Sequence, residues 1–482
     1  MQTPASRAYK TNLISDSRRR SPALPPIIQK NSCASSDTFD TADSGSTISP
    51  LLFNTHFKYR RILKKFFAKK ISRLVYKYPA LMFLAQNIAL RAASRYLDFA
   101  NAFRLLKRPE WMSVPRLDKS FRLDFELAGA STGNEFPLAK RMIDSYVRAL
   151  ADEKENSGVG DGTIWNVLSN HNFRRMHEIV TAGDPKAVAD FFSSVFQSEA
   201  VDGFAMGTLF NNSPHRWWLW GAGVVTSIVS LAEACGLVRA ECPEQGQIGF
   251  ALRGDGLKAV LEKLDRHFGF RIESPRVGSA RGISVDGRFI TRETCSQIYT
   301  AMRVLQAFDS QAEQNAQMNI VEIGGGYGGL CYWMLKLCGN RIKHYYIVDL
   351  PTTALIQSYF LSSILNQEIE MYGTRSEGSK VVLVPHFALN SISSCVNIMV
   401  NQDSMPEMPA SEVTRYLDWG ARHLDGVFLS FNQEAFSIFN GSPQLLVPEY
   451  VASFPSYRRI SRHTAWDRRG YVEEVYVNHP VQ

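Results

Sequence analysis

The stretch Val321–Asp349 restricts the fold more than any other part of this chain. Met318–Ile323 (MNIVEI) is a short apolar strand candidate. It runs into Gly324-Gly325-Gly326-Tyr327-Gly328-Gly329, and Leu330–Leu337 then reads as a helix. Lys343–Val348 (KHYYIV) is a second strand, ending at Asp349, and Pro351 suits the first turn of a following helix. Glycines at this density are needed where a backbone turns sharply and must approach a ligand closely. The helix behind them offers unpaired amides and a positive dipole end. A carboxylate at the second strand tip can accept hydrogen bonds from ribose hydroxyls. The unit therefore predicts a nucleotide-type ligand. Gly324, Gly326 and Gly329 satisfy the G-x-G-x-x-G dinucleotide fingerprint, so an NAD-dependent oxidoreductase or epimerase is one reading.

The alternation of strand and helix continues to the C-terminus. Thr294–Ala307 reads as a helix leading into the first strand. Lys380–Pro385 is a third strand, ending at His386, and Ser394–Val400 a fourth, running into Asn401–Met408. A helix over Ser411–Leu424 precedes a fifth strand, Gly426–Phe431, with Asn432-Gln433-Glu434 at its tip. Tyr457–Trp466 and Tyr471–Asn478 form two strands joined by Asp467-Arg468-Arg469-Gly470, as in a hairpin. The pattern predicts an α/β domain over 293–482 with a mostly parallel sheet closed by an antiparallel hairpin. In such sheets ligands bind at the carboxyl ends of the strands. Glu322, Asp349, His386, Asn401–Glu407 and Asn432–Glu434 all fall at those ends and are expected around one site.

Glu322, two residues before Gly324, and the glycines at 324, 326 and 328 resemble the E-x-G-x-G-x-G pattern of class I methyltransferases. The closing hairpin is likewise a signature of that class. More narrowly, VEIGGGYGGL, IVDLP, the N-x-D-S-M-P-E-M stretch at 401–408, FLSFNQE at 428–434 and R-x-H-x-A-W at 462–466 resemble bacterial sugar O-methyltransferases, over residues 160–482. The resemblance implies a Rossmann-like seven-stranded sheet and S-adenosyl-L-methionine as cofactor. Glu322, Gly324, Gly325, Gly326, Tyr327, Gly328, Asp349 and Leu350 would bind it. It implies methyl transfer to a hydroxyl of a sugar or glycoconjugate. Such a hydroxyl is a weak acid, so a base is expected. Asp403 is the first candidate, Glu407 the second and His463 the third. Glu407 reads equally well as a carboxylate stabilising a helix start, whereas His463 reads better as a hairpin surface residue than as a base. Asn401 and Asn432 are expected to hold substrate by their amides. No metal is required by the spacing; Asp403, Asn432 and Glu434 form an alternative oxygen set for Mg²⁺. A non-catalytic partner protein with this fold is a further alternative, because fold does not fix activity.

The remainder of the chain is organised differently. Residues 1–120 hold 22 Lys/Arg against 7 Asp/Glu, whereas the rest holds 32 against 39. The net charge of +8 is thus a property of the N-terminal segment, and no nucleic-acid partner is expected for the whole chain. Residues 1–50, rich in Ser, Thr, Pro and Asp, read as a disordered tail. Residues 51–120 form a basic helical segment. Within it, 56–78 (HFKYRRILKKFFAKKISRLVYKY) sets Lys64, Lys65, Lys69, Lys70 and Arg73 opposite aromatic and aliphatic residues. Such a helix either packs on the protein with its lysines solvated or makes peripheral contact with an anionic membrane. Residues 121–292 read as a mainly helical accessory or substrate region, with helices over Asn134–Asp152, Ala187–Phe196, Gly223–Val238 and Ala251–Phe268. Trp217, Trp218 and Trp220 precede a helix and read as packing residues. Seven cysteines without a C-x-x-C pair read as reduced thiols. No apolar run reaches the roughly 18 residues of a membrane span, and no secretory h-region is seen. The expected location is the cytoplasm, with the inner membrane face as the site of any peripheral contact. Oligomeric state is not legible.

Overall fold

A computed structural model describes residues 124–129, 135–156, 171–203, 214–240, 256–313, 316–365, 369–374, 378–434, 438–439, 442–468 and 470–479. The tail 1–50 and the basic segment with its 56–78 helix lie outside the described residues. All described residues belong to one compact unit.

The elements in chain order are β1 (Asp124–Leu127), α1 (Glu135–Asn156), α2 (Arg174–Thr181), α3 (Pro185–Phe192), α4 (Pro214–Ala234) and α5 (Gly256–Phe268). Next come β2 (Arg281–Val285), β3 (Arg288–Ile290), α6 (Glu293–Asp309), β4 (Met318–Ile323), α7 (Gly329–Cys338), β5 (Ile342–Asp349) and α8 (Pro351–Ile364). They are followed by β6 (Val381–Pro385), β7 (Val396–Gln402), α9 (Ala410–His423), β8 (Leu424–Gln433), the short pair β9 (Ile438–Phe439) and β10 (Ser442–Pro443), α10 (Val447–Val451), β11 (Tyr457–Thr464) and β12 (Tyr471–Asn478).

Seven strands form one sheet in the order β11-β12-β8-β7-β4-β5-β6. The five from β8 to β6 are parallel, and β12 runs antiparallel to both of its neighbours. This is the α/β mixed sheet expected from the strand pattern and its closing hairpin. The chain leaves β4 to one side through β5 and β6, then returns to its other side through β7 and β8. The order therefore reverses between β4 and β7, which opens a crevice at their carboxyl ends.

Both faces of the sheet are covered, which is why its central strands are apolar throughout rather than alternating. Ile320, Ile347, Ile398, Val400 and Leu429 face the core shared with α6, α7 and α8. Val321, Ile323, Met399 and Phe428 face the second core, with Leu417 and Trp419 of α9. At about 25 cal/mol per Å² of apolar surface, each such side chain contributes about 1.5–3 kcal/mol.

The accessory helices add a third layer whose core is continuous with the first. Phe192 meets Tyr359 of α8 with ring centroids 5.4 Å apart, and Phe196 meets Tyr327 at 5.5 Å. Helix α1 is tied to the sheet domain by polar bonds. Arg141 donates to the Ile369 carbonyl, Tyr372 to Asp152, and His386 lies 2.8 Å from Glu153.

Two sequence expectations change here. The accessory stretch also carries a three-stranded antiparallel sheet, β1-β2-β3. Its β2–β3 turn is Asp286-Gly287, both in the left-handed region with φ of 53° and 71°. A two-residue Asp-Gly turn is a recognised hairpin signal, so this pair was legible and was missed. The tryptophans lie within the first turns of α4 rather than before it. Trp220 is buried, with its ring 6.3 Å from Phe125, as the packing reading expects; the side chains of Trp217 and Trp218 lie outside the described residues.

Candidate active site

The glycine loop is held from both ends. The Gly324 amide donates to the Val348 carbonyl at 2.9 Å, and the Gly328 amide to the Gly325 carbonyl at 2.9 Å. Gly324, Gly326 and Gly328 have φ of 72°, 55° and 89°, a region that side-chain-bearing residues rarely adopt. Space is as restrictive as conformation. A Cβ on Gly324 would collide with Ser404, and one on Gly325 with Ile347. Gly329 is closed differently, by Gln297 of α6 against its α-carbon. The third glycine of the dinucleotide fingerprint is thus explained by helix packing.

Glu322 lies beneath the loop and is buried, accepting a hydrogen bond from the Tyr345 hydroxyl at 2.8 Å. Burial pushes its carboxyl up to about 8; the Tyr345 bond opposes that rise and the neighbouring Asp349 adds to it. Glu322 therefore supports the loop from inside.

Asp349 does reach the strand tip. Its Oδ1 accepts from the Leu350 amide at 2.8 Å and its Oδ2 from Gln357 Nε2 at 2.9 Å. Burial raises this carboxyl to about 6, against the opposing pull of the Leu350 amide, Gln357, the Gly326 amide and Thr353 nearby. Gln357 also donates to the Gly326 carbonyl at 3.0 Å, so one amide ties loop, strand tip and α8 together. Tyr327 turns away from Asp349. Its hydroxyl donates to Gln297, and its ring lies edge-on to Phe196 and Phe360.

Across the crevice, β7 and β8 end in a second cluster. Asp403 sits at φ 62° with its amide donating to the Phe431 carbonyl and to Asn432 Oδ1, both at 3.0 Å. Its carboxylate is clasped by Arg468 at 2.7 Å and by the Tyr471 hydroxyl at 2.8 Å. The Arg468 guanidinium lies 3.7 Å from the centre of the Tyr471 ring. Both partners come from the β11–β12 hairpin, which the antiparallel pairing of β12 with β8 carries to this end of the sheet. Glu407 lies in the same cluster, and its carboxyl is pushed up to about 7, by burial first and by the Asp403 charge second.

Several expected site residues do other work. Asn401 is fully buried, donating to the Ile323 carbonyl at 2.9 Å and to Ser404 Oγ at 2.6 Å. Asn432 is buried too, bonded to the Asp403 amide and, at 2.9 Å, to Ser430. Both amides are consumed inside the protein, and neither is offered to a substrate. His463 lies on edge strand β11, 3.2 Å from Arg303 and 3.4 Å from Glu473, with no contact to the Asp403 cluster. His386 likewise stands apart, between Glu153 and Glu412. The Mg²⁺ alternative does not fit. Asp403 is bound by Arg468, Asn432 faces a backbone amide, and Glu434 pairs with Arg462 at 2.6 Å.

The residues missed by sequence reasoning are Arg468, Tyr471, Ser404 and Gln357. For Arg468 a signal existed: a basic residue at the turn of a hairpin that brings it to the carboxyl ends of the sheet. Nothing comparable marks the others.

In structure the chain is similar to an O-methyltransferase family protein from Burkholderia thailandensis. That likeness has 12% identity, covers 57% of this chain and 98% of that one, and has a TM-score of 0.28. It is also similar to a SAM dependent methyltransferase from Aquifex aeolicus, at 13% identity, 38% and 90% coverage and a TM-score of 0.27. No protein-family model and no curated protein matches the sequence. The strand order, with its antiparallel β12, decides the fold class. The fold is methyltransferase-like. Among the described residues no helix is long and apolar enough to cross a membrane.

Proposed function

We propose that this chain is an S-adenosylmethionine-dependent O-methyltransferase whose acceptor is a hydroxyl of a sugar or glycoconjugate. The observation that carries the reading is the juxtaposition at the β4/β7 crevice. A glycine loop with three left-handed glycines, and Asp349 beyond it, faces an acidic cluster built on Asp403 and Glu407. Gly324–Gly328 and Leu350 would line the cofactor, and Asp349 would take its ribose. When bound, that cofactor supplies a methyl group already activated on a sulfonium.

The chain's own task is then to orient an acceptor oxygen and remove its proton. Glu407 suits the second role better than Asp403, reversing the order expected from sequence. A base works best with a pKa near the operating pH, and the Glu407 carboxyl sits at about 7. Asp403 is already committed to Arg468 and Tyr471, which fix it as an acceptor of hydrogen bonds. A carboxylate and a guanidinium side by side can receive the vicinal hydroxyls of a sugar. The sugar class itself rests on the resemblance at 401–408 and 428–434.

The test is a thermal-shift and calorimetric comparison of S-adenosylhomocysteine with NAD. Binding of the first, lost in Asp349→Ala and kept in Asp403→Ala, is expected. Binding of NAD alone would overturn the reading in favour of an oxidoreductase.

A further inference from the structure

His386 is a buried titratable group that the proposed chemistry does not use. It follows β6 directly and is 5% exposed. Three elements meet at its imidazole. Nε2 lies 2.8 Å from Glu153 Oε1, on the last turn of α1, and Nδ1 lies 3.8 Å from Glu412 Oε2, on α9. Arg415, also on α9, donates to the His386 carbonyl at 2.9 Å and pairs with Glu412.

The other charged or titratable groups around this junction have partners of their own. On α1, Asp152 accepts from the Tyr372 hydroxyl at 2.8 Å, and Arg148 donates to the Gly373 carbonyl at 3.3 Å. Tyr146 of α1 bonds His177 at 2.9 Å, and the Arg415 guanidinium lies 4.9 Å from the centre of the Tyr416 ring. Asp349 ends the neighbouring strand, bound to the Leu350 amide and Gln357, with Pro385 as its register partner.

A neutral imidazole has one N–H and one lone pair. Whichever tautomer it takes, one nitrogen turns that lone pair towards a carboxylate. Only the imidazolium offers a donor on both sides. Deprotonation leaves the two carboxylates unequally placed. Glu412 keeps Arg415. Glu153 keeps no cation, because among the described residues His386 is the one paired with it. We infer that His386 is a proton-operated clasp: with both nitrogens protonated it holds the C-terminal end of α1 against the β6 tip and α9, and on losing a proton it lets that end go.

The electrostatics agree with the geometry. Burial pulls the imidazole pKa down, yet the hydrogen bonds and charges of Glu153 and Glu412 outweigh it, and the net shift from 6.5 is upward. The clasp therefore contributes fully below pH 6.5, and its contribution is lost as pH rises through the folded-state value. Release is local. Further up α1, Arg141 donates to the Ile369 carbonyl at 2.9 Å, and Ala139, Met142 and Tyr146 are packed in the core. The clasp does not depend on the methyltransferase reading.

Hydrogen exchange on the full chain measures the opening of that end, read by mass spectrometry on peptides spanning 147–156 and corrected for the chemical exchange rate. Between about pH 6 and pH 9, protection there is expected to fall by about threefold or more, each unit of pKa separation being worth about tenfold. His386→Gln removes the titrating group and Glu153→Gln removes its anion. In both variants the fall is expected to vanish, whereas peptides from β4 and β7 keep their protection throughout. If His386→Gln does not fold, Glu153→Gln decides alone. A flat profile in the unmodified chain overturns the inference. So does a fall that persists undiminished in Glu153→Gln, or a loss of protection in β4 and β7 at the same pH.

Discussion

Gly324→Ala tests whether the glycine loop and the 401–408 segment are one mechanical piece. The new Cβ meets two obstacles. A left-handed φ of 72° costs an alanine about 1–2 kcal/mol. The Cβ would also overlap Ser404, which must then move. Ser404 is buried, donating to the Ile323 carbonyl at 3.2 Å and accepting from Asn401 at 2.6 Å. At about 1 kcal/mol for each net bond, its displacement adds about 2 kcal/mol, for a total of about 3–4. Ser404→Gly alone forfeits the same two bonds and adds backbone entropy, about 2.5–3 kcal/mol together. In the double variant the overlap is gone, and only the φ cost is added to the Ser404→Gly loss, about 4 kcal/mol. The two single losses add to about 6, so the expected coupling is about 2 kcal/mol, against about 0.3–0.5 for independent sites. Urea unfolding followed by tryptophan fluorescence measures all four corners of the cycle. Additivity within about 0.5 kcal/mol would refute the claim that Gly324 exists to make room for Ser404.

Two further outcomes follow from the buried carboxyls. Glu322 is raised in the folded chain from 4.5 to about 8, so its protonated form stabilises the fold at low pH, and that contribution is lost as pH rises through 8. Glu322→Gln keeps an acceptor for Tyr345 without titrating. The stability of the unmodified chain relative to this variant should therefore fall between pH 4.5 and 8; a difference that stays flat across this range rejects the assignment. For Glu407 the readout is rate: with any acceptor that turns over, kcat/KM should rise with pH to a plateau above about 7, and Glu407→Gln should abolish this limb. Retention of the limb in the variant would assign the proton to another group.

The sheet domain was legible because its signals are local. Each parallel strand is an apolar run bounded by turn residues, and the glycine loop announces its own backbone. The tips were legible as positions but not as roles. Asn401 and Asn432 stand where ligand-binding residues stand, yet their amides face the Ile323 carbonyl and the Asp403 amide, 78 and 29 residues away. A sequence shows that an amide is at a strand end and not which way it turns. The same distance problem hid the Asp403–Arg468 pair, 65 residues apart, and the pairing of β1 with β2 across roughly 150 residues. His463 is the converse case, and its hairpin-surface reading is the one its neighbours agree with. A titratable residue in a motif looks chemical until its neighbours, Arg303 and Glu473, show that it belongs to an ion-pair group on the sheet edge.

Asp349 has an implication for how a ligand would come and go. Its carboxylate already accepts from the Leu350 amide and from Gln357. A ribose hydroxyl arriving at Oδ2 would compete with Gln357, which also holds the Gly326 carbonyl and is placed to step aside and return. Docking there would be in part a swap of partners, and the side chain that yields to the ligand would also reclaim the position once the ligand loosens.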